Sequence, residues 1–378
     1  MAGLYIHIPF CESRCIYCGF YSTTLSSLKD DYVEAVCKEM EMRHNYLPLF
    51  DNNINTVYLG GGTPSTLNAA QLDKIFDCIY NKVYKGCKPT EVTIECNPDD
   101  ITENMASVIG NMPINRVSMG VQTFDDKRLK FLHRRHTAEE VRIAVNRLRR
   151  NDIYNISIDL MYGFPNETMN EWERDIHEAL KLNVEHISAY SLMIEEGTPL
   201  YKMKENGLIE EADEELCRSM YEKLIELTEI AGYEHYEISN FALKDRRSKH
   251  NSSYWKAIPY IGIGAAAHSY DGSNRQWNIS DIRQYIDNIN QGTIPAEKEA
   301  LDLSTRYDDM ITTALRTSDG IDIDYVAKTF GEEYRKYLLD NAQKYITDNL
   351  MEIIGDNIRI SRKGLFVSDA IMSDLMHV

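Results

Sequence analysis

Through its first 240 residues the chain alternates between short apolar runs and longer stretches with helical period. The runs are LYIHI (4–8), TVYLG (56–60), EVTIE (91–95), RVSMGV (116–121), NISIDLM (155–161) and HISAYSL (186–192). Short β-branched or aromatic runs of this kind read as strands of a buried sheet. Over 213–231 the residues Leu216, Met220, Leu224, Leu227 and Ile230 recur every three or four positions, and Gly232 stands where a helix would end; this pattern predicts a helix. Strand–helix alternation means parallel strands joined by right-handed crossovers. Six such units are too few for a closed eight-fold barrel, so the pattern predicts an α/β protein with a partial (β/α)6 TIM-like barrel over 1–240. A seventh run, YEHYEIS (233–239), precedes a connecting segment, 241–300, that carries KDRRSKHNSSYW and YIGIGAAAHSY. Residues 301–378 read as helices (304–317, 323–330, 332–348), a hairpin (352–361) turning at Gly355-Asp356-Asn357, and a last amphipathic segment (363–376). That is a small C-terminal α+β domain of winged-helix-like type.

In parallel α/β folds chemistry collects in the loops after the C-terminal ends of strands. Here those loops are PFCESRCIYC, GGGTPS, CNPDD, QTFDD and YGFPNET. The first holds Cys11-x3-Cys15-x2-Cys18. Zinc takes four ligands, usually as two paired knuckles, and no second CxxC occurs. Three packed free thiols are the plain alternative. A three-thiolate loop suits a cubane [4Fe-4S] cluster with one iron lacking a protein ligand. The amino and carboxylate groups of S-adenosylmethionine can chelate that iron, and reductive cleavage of the sulfonium then yields a 5′-deoxyadenosyl radical.

Charge narrows the partners. The 378 residues hold 41 Lys+Arg against 59 Asp+Glu, a net charge of −18. An acidic surface argues against nucleic acid and against an anionic membrane, because both need basic faces. The winged-helix-like unit therefore reads as a structural cap, and membrane contact is expected only through a partner. No apolar run is long enough to span a bilayer, and no basic n-region precedes the first apolar stretch. A cytoplasmic location is the expectation. In a reducing compartment clustered cysteines suggest metal binding; Cys37, Cys78, Cys87, Cys96 and Cys217 read as packing.

The motifs YIHIPFCESRCIYCGF, YLGGGTPSTL, TIECNPDD, NRVSMGVQTFDDKRLKFLHRRH, SIDLMYGFP, YEISNF and HNSSYW–GIGAAAHS run nearly end to end. On them the chain resembles the radical SAM superfamily and, within it, the oxygen-independent coproporphyrinogen III dehydrogenase-like group. The resemblance implies a radical SAM barrel in which Cys11, Cys15 and Cys18 hold the cluster. Tyr5 is implied near the methionyl part of S-adenosylmethionine. The glycine loop Gly61, Gly62 and Thr63 is implied at its amino group, where the lack of a Cβ allows close approach. Glu95, Gln122, Arg134 and Asp159 are implied as further polar contacts, and Tyr17 beside the adenine. His7 reads as a satisfied core group.

The group holds true dehydrogenases, which oxidatively decarboxylate two propionates of coproporphyrinogen III, and a heme-chaperone branch. The dehydrogenase has a fourth cysteine two residues after the third, where this chain has Phe20. It also has an N-terminal extension, not expected here because the cluster motif begins at Tyr5. The chaperone branch carries H-N-x-x-Y-W, matched by His250-Asn251-Ser252-Ser253-Tyr254-Trp255. His250 is the expected heme ligand, since heme iron commonly takes a His nitrogen, with a hydrogen-bonded loop histidine as the alternative. Lys244, Arg246, Arg247 and Lys249 are expected either at the propionates or in solvent. His268 is a second candidate ligand, or else a packed structural histidine. The expected function is binding of a [4Fe-4S] cluster, S-adenosylmethionine and heme, with delivery of heme to apo-proteins. The alternatives are coproporphyrinogen III oxidation and a radical reaction on an unrelated substrate. The expected partners are heme or porphyrinogen, heme-accepting apo-proteins and an electron donor.

Overall fold

All six apolar runs form parallel strands. The computed structural model describes residues 2–47 and 54–377. The strands are β1 (Ala2–Ile8), β2 (Ile54–Gly61), β3 (Glu91–Cys96), β4 (Arg116–Gln122), β5 (Ile156–Tyr162) and β6 (His186–Ser191). They pair in chain order, each parallel to the next. Leu4, Ile6, Ile8, Val57, Leu59, Ile94, Val117 and Met119 are buried against the crossover helices. The alternate positions face inward, in layers set by the register: Tyr5 beside Tyr58, Tyr58 beside Thr93, Thr93 beside Arg116. This period of two makes the interior polar and the outside of the strands apolar. The helix expected over 213–231 spans Glu214–Ile230, with Asp213 as its N-cap.

Residues 241–300 are not a loop. They widen the sheet. On one edge β8 (Asn240–Ala242) adds antiparallel to β6, and the preceding β7 (Glu234–Glu237) adds antiparallel to β8. On the other, β9 (Tyr260–Ile263) adds parallel to β1, followed by antiparallel β10 (His268–Tyr270), β11 (Asn274–Asn278) and β12 (Ala296–Ala300). Among the described residues this makes a twelve-stranded sheet. Within this connecting segment the His250–Trp255 motif lies on the helix Lys249–Trp255. Its N-terminus is capped by the Ser248 hydroxyl, and the Glu91 carboxylate accepts the N–H groups of Lys249 and His250 at 2.8 and 2.9 Å. An anion there is favoured by the helix dipole.

The C-terminal unit has its own core around Tyr307, Ile311, Val326, Leu338 and Ile371. A three-stranded sheet of β13 (Ile321–Asp322), β14 (Met351–Ile354) and β15 (Asn357–Ile360) accompanies the helices Leu303–Ala314, Ile323–Phe330 and Glu332–Thr347. Gly355 turns the hairpin with φ +62°. Arg247 joins the two units, binding Glu234 at 3.3 Å and Asp319 at 3.2 Å. Of the basic run expected at heme propionates, that guanidinium is already neutralised by two carboxylates. Among the described residues no helix is long and apolar enough to cross a membrane.

Candidate cofactor cavity

The C-terminal ends of β1–β6 open into one cavity of about 1400 Å³, counted with its open mouth. Its wall holds Cys11, Cys15, Cys18, Tyr17, Gly61, Gly62, Thr63, Glu95, Gln122, Arg134 and Asp159. Residues as far apart in sequence as Cys11 and Asp159, 148 positions, thus converge because every parallel strand ends on the same side.

The cysteine loop is held by backbone hydrogen bonds. Cys11 N–H donates to Thr23 at 2.9 Å, Thr23 N–H to Pro9 at 2.7 Å, and Ile16 N–H to Leu132 at 3.2 Å. All three thiols are half-buried. Burial pushes the Cys11 and Cys18 thiols up. The Thr63 hydroxyl, 3.5 Å from Cys11 Sγ, offsets this only in part, and a bound metal would stabilise the thiolates further. Arg134 Nη1 lies 3.6 Å from Cys15 Sγ, while its Nη2 donates to Asn97 Oδ1 at 2.9 Å and to the Gly120 carbonyl. Its Nε has no partner among the described residues. Among these residues no three Cys, His, Asp or Glu side chains close on a single ion. The thiols border a wide space, as a polynuclear cluster requires.

Glycine is needed where β2 meets this loop. A Cβ on Gly62 would stand 2.7 Å from the Pro9 carbonyl, and Gly61 has φ +116° with His7 2.5 Å from any Cβ. Glu95 accepts the Gly61 N–H at 3.0 Å and the Tyr58 hydroxyl at 2.7 Å. Burial raises its pKa to about 7, against those hydrogen bonds and with a further push from Asp159. Burial also raises Asp159. Gln122 sits at a β-bulge with φ +68°. A non-glycine residue there is strained, and the bulge re-aims its side chain.

Tyr5 and His250 do not line the cavity; both belong to the layers beneath it. Tyr5 donates or accepts at His7 Nδ1, 3.0 Å away, and packs beside Tyr58. His7 is buried, as expected, with Nε2 3.2 Å from the Tyr21 carbonyl. His250 lies in the helix Lys249–Trp255 rather than in a loop. It is 1% exposed, with Nδ1 2.8 Å from Thr56 Oγ1 and Nε2 2.7 Å from the Tyr254 hydroxyl. Its ring stacks on Tyr58 at 5.0 Å. Both nitrogens are therefore engaged, and burial with nearby Arg116 lowers its pKa to about 3. Tyr254 packs on Tyr260 and is likewise part of this floor.

The cavity also includes residues that motif reading passed over. Asn97 holds Arg134, and Ser118, Cys96 and Tyr190 complete the wall. Period-two counting along β4 and β6 was the available signal for Ser118 and Tyr190. At the mouth Phe20, Met193 and Tyr190 are 75%, 67% and 43% exposed, a hydrophobic rim on an otherwise polar site.

The sequence comparisons agree with this geometry. Residues 5–179 match the Radical SAM superfamily model, and residues 301–367 match the HemN C-terminal domain. The solved structure of coproporphyrinogen III oxidase (HemN) from Escherichia coli, described as a radical SAM enzyme, superposes with a TM-score of 0.85. It is 20% identical and covers 100% of this chain and 90% of that one, so the fold is shared. Fold and matched regions define a radical SAM protein of HemN-like architecture, a superfamily that implies a [4Fe-4S] cluster and S-adenosylmethionine. Heme chaperone HemW of Bacillus subtilis (strain 168) is 35% identical over 340 residues, 89% of this chain and 88% of the relative. Heme chaperone HemW of Lactococcus lactis subsp. lactis (strain IL1403) is 33% identical over 338 residues, 88% of this chain and 86% of the relative. The chain belongs to the HemW heme-chaperone family.

Proposed function

We propose that this protein binds a [4Fe-4S] cluster through Cys11, Cys15 and Cys18, binds S-adenosylmethionine beside it, and takes up heme for delivery to apo-proteins in the cytoplasm. The observation that carries the reading is the single cavity in which three half-buried thiols, a glycine loop and a raised carboxyl meet under a hydrophobic rim. When bound, the cluster and S-adenosylmethionine supply one-electron chemistry at the sulfonium, with an external electron donor.

The chain's own residues hold and shield that chemistry. Arg134 lies against Cys15 and offsets thiolate charge. The absence of side chains at Gly61 and Gly62 leaves room for a ligand's polar end against the backbone. Glu95, poised near neutrality, accepts hydrogen bonds and gains its full negative charge when an ammonium group is nearby. Tyr17, Gln122 and Asp159 complete the wall, and Tyr5 supports it from below. Phe20, Tyr190 and Met193 suit the face of a flat tetrapyrrole, because aromatic and thioether groups pack well on π surfaces. Residues 1–240 carry the cofactors, 241–300 extend the sheet, and 301–378 cap it.

Anaerobic reconstitution followed by hemin titration and transfer to an apo-globin tests the proposal. Stoichiometric heme binding and transfer are expected. Absence of heme binding rejects it, and turnover of coproporphyrinogen III to protoporphyrinogen IX would establish the oxidase reading instead.

A further inference from the structure

Three of the loops that ring the cavity are tied together by Ser65, Asp99, Asp100 and Arg135, which stand behind its wall. After β2, Ser65 Oγ donates to Asp100 Oδ2 at 2.7 Å and accepts the Asn97 N–H at 3.3 Å. After β3, Asn97 Oδ1 accepts from Arg134 Nη2 at 2.9 Å. After β4, the helix Asp126–Phe131 ends in a turn where His133 takes φ +61° and the Arg134 N–H donates to the Leu129 carbonyl at 2.9 Å. The Leu132 carbonyl of that turn accepts the Ile16 N–H of the cysteine loop. At the far end of the turn His136 Nε2 lies 3.1 Å from the Val121 carbonyl.

Arg134 and Arg135 are neighbours with different surroundings. Arg134 lines the cavity, its Nη2 so close to β4 that a Cβ on Gly120 would stand 3.1 Å from it, and its Nη1 lies 3.6 Å from Cys15 Sγ. Arg135 turns away. Its Nη2 alone binds both Asp99 Oδ2 at 2.8 Å and Asp100 Oδ1 at 2.6 Å. The two carboxylates are consecutive in sequence and repel, and a cation between them relieves that repulsion. Partly exposed ion pairs contribute little to unfolding free energy. What this pair fixes is direction. Anchoring residue 135 fixes the rotation of the peptide that carries Arg134. The loop that holds both aspartates also holds Arg134 itself, through Asn97. Arg134 Nε has no partner among the described residues, so few contacts aim the guanidinium.

The contact with Cys15 has an electrostatic consequence. Reduction adds one electron to an iron–sulfur cluster, and the added charge spreads over its sulfurs. A guanidinium hydrogen-bonded to a ligating sulfur stabilises the reduced form and raises the potential. The electron comes from the external donor, and no bond forms or breaks in this step.

We propose that Arg135 is a positioning residue: clamped between Asp99 and Asp100, it holds Arg134 on Cys15 and thereby raises the reduction potential of the cluster. This rests on the reading of Cys11, Cys15 and Cys18 as cluster ligands.

The test is a redox titration of the full, cluster-reconstituted chain, read by electron paramagnetic resonance, with iron content and thermal melts on the same samples. The variants are Arg135→Gln, Arg135→Lys, Asp100→Asn, Arg134→Met, and Arg134→Met combined with Arg135→Gln. Arg135→Gln is expected to keep its iron and its melting temperature, and to lower the ratio of reduced to oxidised cluster at the wild-type midpoint by about threefold or more. Arg135→Lys is expected to restore that ratio, because a single nitrogen serves both carboxylates. Asp100→Asn separates position from charge. Loss of a negative charge by itself raises the potential, whereas a loosened clamp lowers it, and a fall is expected. In the Arg134→Met background Arg135→Gln is expected to add nothing. An unchanged potential in Arg135→Gln, a rise in Asp100→Asn, or the same shift in both Arg134 backgrounds overturns the assignment while the cluster reading stands. Where another variant fails to fold or to take up iron, the sign of the Asp100→Asn shift decides. A wild type that holds no cluster overturns both readings.

Discussion

The two ends of the barrel are built from similar residue types and do opposite things with them. At the floor, histidines are paired off. His250 bridges Thr56 and Tyr254, and His186 bridges Ser157 and Tyr236 at 2.7 and 2.8 Å. At the mouth, polar groups border the open cavity: three half-buried thiols, a hydrogen-bonded carboxyl raised to about 7, and Arg134 with an orphan Nε among the described residues. Satisfied buried polar groups add rigidity, whereas unsatisfied ones carry a cost that a ligand can remove. The contrast teaches that a histidine in a family motif is judged by what its nitrogens already touch. One floor group departs from the pattern: buried Arg116 keeps Nε and Nη1 without partners among the described residues.

The largest expected effect is at the mouth. Cys15→Ser should reduce reconstituted iron from about four per chain to near zero, measured by iron and sulfide analysis, with the fold kept. Retention of a full cluster would remove Cys15 from the site. Next comes the floor. His250→Ala removes a buried ring and strands two hydroxyls, and should cost ~4 kcal/mol of unfolding free energy in urea. A loss below ~1 kcal/mol would show that the floor is not the rigid end.

A pH series sharpens the comparison. The Glu95 carboxyl is raised from 4.5 to about 7 in the fold. Native and unfolded states are both protonated at low pH. As pH rises from the unfolded value through 7, only the native state resists ionisation, so wild-type stability falls across that window. Glu95→Gln should therefore gain up to ~2 kcal/mol relative to wild type by pH 8 and almost nothing at pH 4, with the full shift discounted because Glu95 faces the cavity. Buried His250, lowered to about 3, has the reverse sign: its neutral burial stabilises above its ordinary value of 6.5, and that contribution is lost as pH falls toward 3. Melting temperatures from pH 4 to pH 8 for wild type and Glu95→Gln read out the carboxyl directly. The smallest expected effect on stability is at the rim. Phe20→Ser should change unfolding by less than ~0.5 kcal/mol, because the side chain is already exposed, yet weaken hemin binding severalfold in the same titration.

Much of this was readable in the chain. The six runs became β1–β6 to within two residues at either end. The hairpin turned at Gly355, and the spacing of Cys11, Cys15 and Cys18 pointed to the cavity. What was not readable has one physical source: whether a polar side chain is free depends on partners far away in sequence. Nothing near His250 announces Thr56, 194 positions away, as the partner of its Nδ1. Likewise, the basic character of Arg247 does not reveal that Asp319 neutralises it.

The residues alone thus determined the alternating α/β architecture, the cluster loop at the end of the first strand and the loops that meet it, because these follow from local period and from the common direction of parallel strands. Tertiary structure alone decided which histidine is sealed and which is open. It folded 249–255 into a helix against Glu91, which buries His250, and turned 264–266 so that His268 begins an antiparallel strand with its side chain exposed. Hydrogen-bond saturation and solvent exposure are properties of the packed molecule.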